Sequence, residues 1–241
     1  LNQHYTYFLI HAAALAGPLL LSFDKKVSFF KKWKYLFPAI ILPALFFLVW
    51  DEWFTRSGVW SFNERYITGI RIGSLPIEEV LFFVTVPYCC VFVYECIRCY
   101  FPNLKNRITG TWLLLLIEVL LAISGLMNLE KEYTSYTFLF TAAFIACIFL
   151  CRKWFNGFDA VSFLTAYLIC LVPFFVVNGF LTALPVVLYN DAENLGIRMF
   201  SFLPWPMHNI PFEDTFYGML LIMMNIAFFE KLHNRAAKNQ D

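Results

Sequence analysis

The chain has 241 residues, of which 60% are hydrophobic, 20% aromatic and only 15% charged, with a formal net charge of +1. That composition excludes an ordinary soluble domain and reads as an all-α membrane protein. A balance so near zero gives no sign of a nucleic-acid partner, and the placement of the charges says more than their sum.

A helix needs about 20 mainly apolar residues to cross a hydrocarbon layer roughly 30 Å thick. Seven such spans are predicted, near 4–23, 33–51, 76–95, 108–127, 134–151, 160–181 and 211–230. Thirteen of the 18 Lys and Arg residues fall on one set of alternate segments: Lys25, Lys26, Lys31, Lys32, Lys34, Arg98, Lys105, Arg107, Arg152, Lys153, Lys231, Arg235 and Lys238. Arg56, Arg65, Arg71, Lys131 and Arg198 fall on the other set. The positive-inside rule then places the N-terminus outside and the C-terminus inside, as a multi-pass protein. No basic region precedes the first span and no small-residue cleavage site follows it, so it reads as a retained helix.

The first span carries His11 and a Gly17-Pro18 pair, and the second carries Pro38 and Pro43. A lone intramembrane His is more often a hydrogen-bonded structural group than a reactive one. After the second span comes a polar, aromatic outer segment of about 24 residues, from Asp51 and Glu52 to Arg71, too long for a simple turn. Trp53 and Trp60 in it fit an interfacial aromatic belt. The third span opens with SLPIEEVLFFV, in which Pro76, Glu78 and Glu79 begin an otherwise apolar helix. Glu118 stands among leucines in the fourth span, where a carboxylate needs a partner or a proton. Of the seven cysteines, Cys96 and Cys99, and Cys147 and Cys151, lie near inner helix ends. They read as small apolar fillers, with no metal site assigned.

The second half echoes the first. Asn63-Glu64 matches Asn190-Asp191, and Gly69-Ile70-Arg71 matches Gly196-Ile197-Arg198, both 127 positions on. Eight residues are then inserted within MFSFLPWPMHNI, so that Pro76, Glu78, Glu79 and Glu95 match Pro211, Glu213, Asp214 and Glu230 at 135 positions. The expected fold is therefore seven transmembrane helices in two parallel three-helix repeats, 1–100 and 131–241, joined by a linker helix in 101–130. Equivalent helices point the same way, so both acidic entrances face one region at the outer leaflet. Glu95 and Glu230 gather at the basic end as structural partners.

Proline at a helix start followed by carboxylates is also what helix geometry favours without any reaction. Its occurrence twice, each time ahead of an apolar run, favours a reactive site. Successive helical residues point about 100° apart, so one carboxylate of each pair can face inward while the other binds loop or water. Carboxyl groups gathered in a poorly hydrated place cannot all ionise, which supplies a general acid beside a base. Phe82, Phe83, Phe212, Phe216 and Tyr217 are the nearest aromatic faces for a cationic intermediate.

WDEWFTRSGVWSFN, YITGIRIGSLPIEEVLFF and IPFEDTFY together closely resemble the carotenoid (lycopene) cyclase domain family, over nearly the whole chain. The likeness is tighter in the first half; in the second, Asp214 stands where a second Glu is expected. It implies a non-redox lycopene β-cyclase of the bacterial cytoplasmic membrane, the fused form of a two-subunit enzyme. Glu78, Glu79, Glu213 and Asp214 would be the acid and base candidates, Asp51 and Glu52 would orient them or relay protons, and Trp53, Trp60 and the five aromatic residues above would hold substrate. No flavin or other cofactor is implied, and no G-x-G-x-x-G occurs in the chain. The implied partners are lycopene or a related acyclic carotenoid and the bilayer, with further copies of the chain or other carotenoid-pathway enzymes as protein partners. A transporter with the same 3+1+3 layout and a Mg-dependent prenyltransferase are the rival readings; the first wants a polar route through the membrane and the second wants Asp-rich clusters.

Overall fold

The computed structural model describes residues 3–104, 107–202 and 209–238. Lys105, the side chains of Arg107 and Lys238, and 203–208 of the inserted segment lie outside the described residues. Seven helices follow in order: α1 Thr6–Leu21, α2 Trp33–Ser57, α3 Ile77–Tyr100, α4 Arg107–Leu126, α5 Glu132–Leu150, α6 Ala160–Ala183 and α7 Phe212–Lys238. All seven are long and apolar enough to cross a membrane. Helix α2 runs past the expected end at residue 51, because helical hydrogen bonding continues until Gly58 takes a left-handed conformation (φ 81°) and caps it. Asp159 caps α6, its side chain accepting from Ser162 N at 2.8 Å.

The segments between α2 and α3 and between α6 and α7 hold short strands that hydropathy does not reveal. Strand β1 (Trp60–Phe62) runs antiparallel to β4 (Val187–Tyr189), with Trp60 opposite Tyr189, Ser61 opposite Leu188 and Phe62 opposite Val187. These strands are 127 positions apart, so each pairs with its own counterpart about a local two-fold axis at Ser61 and Leu188. The flanking bonds obey the same exchange. Asn63 N donates to Val186 O and Asn190 N donates to Val59 O, both at 2.9 Å.

Two further ribbons are copies of each other. Strand β2 (Arg71–Ile72) pairs with β3 (Leu75–Pro76), and β5 (Arg198–Met199) pairs with β6 (Ile210–Pro211). The helices follow the same exchange: α1 packs on α3 as α5 packs on α7, and α2 packs on α7 as α6 packs on α3. Two three-helix units thus face each other, and α4 stands aside against α5 and α6.

Lipid offers apolar side chains as good a surface as protein does, so close approach and polar pairs decide how such helices associate. Gly110 and Gly125 let α4 come close: an added Cβ would lie 2.6 Å from Val161 Cγ2 and 2.8 Å from Leu139 Cγ. At the basic end, Lys32 pairs with Glu95 and Arg98 pairs with Glu230, and Arg98 also reaches Glu95 at 3.7 Å. These pairs tie the residue that precedes α2 to α3, and α3 to α7, at the end opposite the acidic helix starts.

Gly73 makes the turn between β2 and β3 at φ 64°, and a Cβ there would lie 2.7 Å from Glu52 Oε1. Gly73→Ala should lower the thermal midpoint in detergent, by a stability loss of about 1–3 kcal/mol. Gly17→Ala on the exposed face of α1, where nothing lies within 4 Å, should leave it unchanged.

Candidate active site

Each acidic helix start is held by a ribbon. Pro76 precedes α3 in an extended conformation (φ −67°, ψ 151°), with no N–H to leave unsatisfied. The next residue donates back into the loop, Ile77 N to Ile70 O at 2.8 Å, and in the second half Phe212 N to Ile197 O at 3.0 Å. Arg71 pairs with Glu64 and Arg198 with Asp191, closing the two loops in the same way.

The two carboxylates of each opening turn then diverge, as their helical spacing dictates. Glu78 turns to its loop and accepts from Thr68 N at 2.7 Å. Glu213 accepts from Leu195 N at 2.7 Å, and also from Thr134 Oγ1 at 2.6 Å. Thr68 and Leu195 are themselves 127 positions apart. Both carboxyls are wholly buried.

Glu79 and Asp214 turn inward to a common cavity of about 50 Å3, and Asp51 from the end of α2 joins them there. Glu79 accepts from the Tyr7 hydroxyl at 2.6 Å and lies beside the Asp51 carboxyl in the cavity wall. Asp51 accepts from the Tyr217 hydroxyl at 2.6 Å. Asp214 accepts from the Tyr133 hydroxyl, from Asn178 Nδ2 at 2.8 Å and from the Tyr189 hydroxyl at 3.0 Å. Burial and the neighbouring Asp214 carboxylate push the Tyr189 phenol well above its ordinary value, which keeps it a donor. Trp60 stands between the two sides, edge-on to Tyr133 at 5.2 Å and to Tyr217 at 6.1 Å.

Of the residues singled out from sequence, Asp51, Glu79, Asp214, Trp60, Phe82 and Tyr217 line the cavity. Glu78, Glu213 and Glu52 do not. Glu52 is spent on the turn, accepting from Ser74 N at 2.8 Å and Ser74 Oγ at 2.7 Å, and it pairs with Arg56 at 2.6 Å. Trp53 is exposed and packs on Tyr136. Phe83 stacks on Phe47, and Phe212 and Phe216 pack on Phe138, all outside the cavity lining. Glu118 is half-buried on α4 and does not reach the cavity. His11 lies behind the site, stacked on Tyr7 at 4.8 Å.

Tyr7, Tyr133, Asn178 and Tyr189 were not singled out from sequence. A signal for them exists: Tyr7 and Tyr133 are 126 positions apart, and Asp51 and Asn178 are 127 apart. They are polar residues at equivalent ends of otherwise apolar helices.

The family model for lycopene cyclase matches residues 4–97 and 130–232, the two three-helix units without α4. The chain belongs to the lycopene cyclase family. It is 32% identical over 88 residues to a lycopene beta-cyclase of Halobacterium salinarum, covering 33% of this chain and 35% of that one. It is similar to bifunctional lycopene cyclase/phytoene synthases of Aspergillus niger, 26% identical over 51% of this chain and 22% of that one, and of Phycomyces blakesleeanus, 28% identical over 34% of this chain and 15% of that one. The alignments therefore span about a third or less of the length of these curated relatives. No solved structure matches the chain.

Glu213 satisfies two buried donors from different elements. Glu213→Ala in this lycopene cyclase family member should therefore cost about 1–3 kcal/mol, read as a lower thermal midpoint, while Glu213→Gln keeps the acceptor oxygen and should recover most of the loss.

Proposed function

We propose that the protein is a membrane lycopene β-cyclase, converting acyclic ψ-end groups to β-rings by proton transfer alone. The observation that carries this is the meeting of Asp51, Glu79 and Asp214 around one aromatic cavity between the two helical units. An acid delivers a proton to C2 of the terminal isoprene, leaving a cation at C1. The C5–C6 double bond attacks it to form the C1–C6 bond, and the cation moves to C5. Loss of the C6 proton to a carboxylate closes the β-ring with no change of oxidation state. A positioned acid or base of this sort contributes roughly 100- to 10,000-fold.

Trp60, Tyr133 and Tyr217 present π-systems where the charge would develop, and such faces attract cations. Phe82, Phe174 and Leu181 give the cavity an apolar wall against which the polyene end would lie. The repeats 1–100 and 131–241 would each contribute one side of the site. With the basic segments in the cytoplasm, the acidic end lies at the outer leaflet of a bacterial cytoplasmic membrane, N-terminus outside. Further copies of the chain or other enzymes of the carotenoid pathway are its protein partners in this reading.

Expressed in a lycopene-accumulating bacterial host, the protein should yield a cyclic carotene, measured by chromatography of the pigments, with no cofactor supplied. Glu79→Gln should reduce ring formation at least about 100-fold while the protein still inserts in the membrane. Lycopene left unchanged by the folded wild-type protein would refute the activity, and normal turnover by Glu79→Gln would return this residue to helix capping.

A further inference from the structure

The two sides of the cavity are built from equivalent positions but unlike chemistry. Tyr7 and Tyr133 make the same contact, each donating to the inward carboxyl of the neighbouring helix start, Glu79 or Asp214. Beside Glu79 stands Asp51, whereas its counterpart beside Asp214 is Asn178. Phe62 and Phe82 of the first half correspond to Tyr189 and Tyr217 of the second, at 127 and 135 positions, so both extra hydroxyls come from one half.

Counting donors separates the two sides. Asp214 receives three hydrogen bonds, from Tyr133, Asn178 and Tyr189, and each donor brings its own hydrogen. An ionised carboxylate is an acceptor only, so this surrounding suits Asp214 as an anion. Glu79 and Asp51 receive one tyrosine each, and then they face each other. Two carboxylates side by side in a buried cavity repel each other when both are ionised, so the pair favours holding one proton between them.

We propose that the Asp51–Glu79 pair holds the proton given to the polyene, that Asp214 takes the ring proton, and that Asn178 fixes this assignment by denying the second half a carboxyl pair. The proposal rests on the cyclase reading. In the first step an O–H bond of the pair breaks as the C2–H bond forms. In the last step the C6–H bond breaks, its electrons form the ring double bond, and the proton goes to Asp214. No electrons leave the substrate. Each turnover leaves the pair one proton short and Asp214 one proton over, so a proton must return across the cavity, whose wall carries the Tyr189 and Tyr217 hydroxyls.

The test is isotope exchange by the purified full chain in liposomes loaded with lycopene in D2O. The wild-type protein must first give a cyclic product; that result alone decides the cyclase reading. Asp214→Asn should then form no ring, yet lycopene recovered from it should carry deuterium at the terminal isoprene, because protonation at C2 reverses when the ring proton has no acceptor. Asp51→Asn and Glu79→Gln should form neither product nor deuterated lycopene, with exchange at least 10-fold lower than in Asp214→Asn. The opposite pattern, or no deuterium with Asp214→Asn, overturns the assignment. A second arm guards against misfolding of Asp214→Asn: the double variant Asp51→Asn with Asn178→Asp moves the carboxyl pair to the other half and should regain at least 10-fold over Asp51→Asn alone. A double variant no more active than Asp51→Asn overturns the role of Asn178.

Discussion

A carboxyl group taken out of water at the mouth of a membrane helix must find a donor, a cation or a second carboxyl with which to share a proton. Seven buried acids among the described residues obey that constraint, and the solutions they find set the architecture. Glu78 and Glu213 take backbone donors from their loops and so fix where α3 and α7 begin. Glu95 and Glu230 take Lys32 and Arg98 and hold the basic end together. Glu79, Asp51 and Asp214 take hydroxyls and an amide from neighbouring helices, which binds α1 to α3, α2 to α7 and α5 to α7 through the site itself. In a bilayer, where apolar contact between helices gains little over contact with lipid, such links carry much of the specificity of packing.

The exchange of β1 with β4 relates the two three-helix units. A strand pair about a two-fold axis brings the same helix end from each half to the same place, so the inward acids arrive together with no separate device to align them. Once paired, the halves can diverge at single positions without moving the backbone. Asn178 opposite Asp51, and two tyrosines opposite two phenylalanines, are changes of that kind.

Much of this was legible in the sequence. Hydropathy alone locates seven spans, because a helix in lipid must be apolar over its whole length. The repeated Pro-x-acid-acid pattern locates two of the three acids that line the cavity, because proline and carboxylates at a helix start are local features. What could not be read was which acid of each pair turns inward. Helical geometry says that Glu78 and Glu79 point different ways, but only the course of the loop through Thr68 decides which one it claims. Glu52 sits beside Asp51 in sequence, yet the turn at Gly73 and Ser74 captures it. The partners Tyr7, Tyr133 and Asn178 come from helices distant in the chain, and their regularity becomes visible only once the repeat is followed into apolar segments where most positions carry no signal.

In the proposed reaction both halves serve one end group at the acidic end of the protein. An experimental structure with bound lycopene tests this most directly. The terminal isoprene should lie between Glu79 and Asp214, within reach of both carboxyls and against Trp60. A terminal isoprene seated at the basic end near Lys32 and Arg98, or on the lipid side of α4, would contradict it.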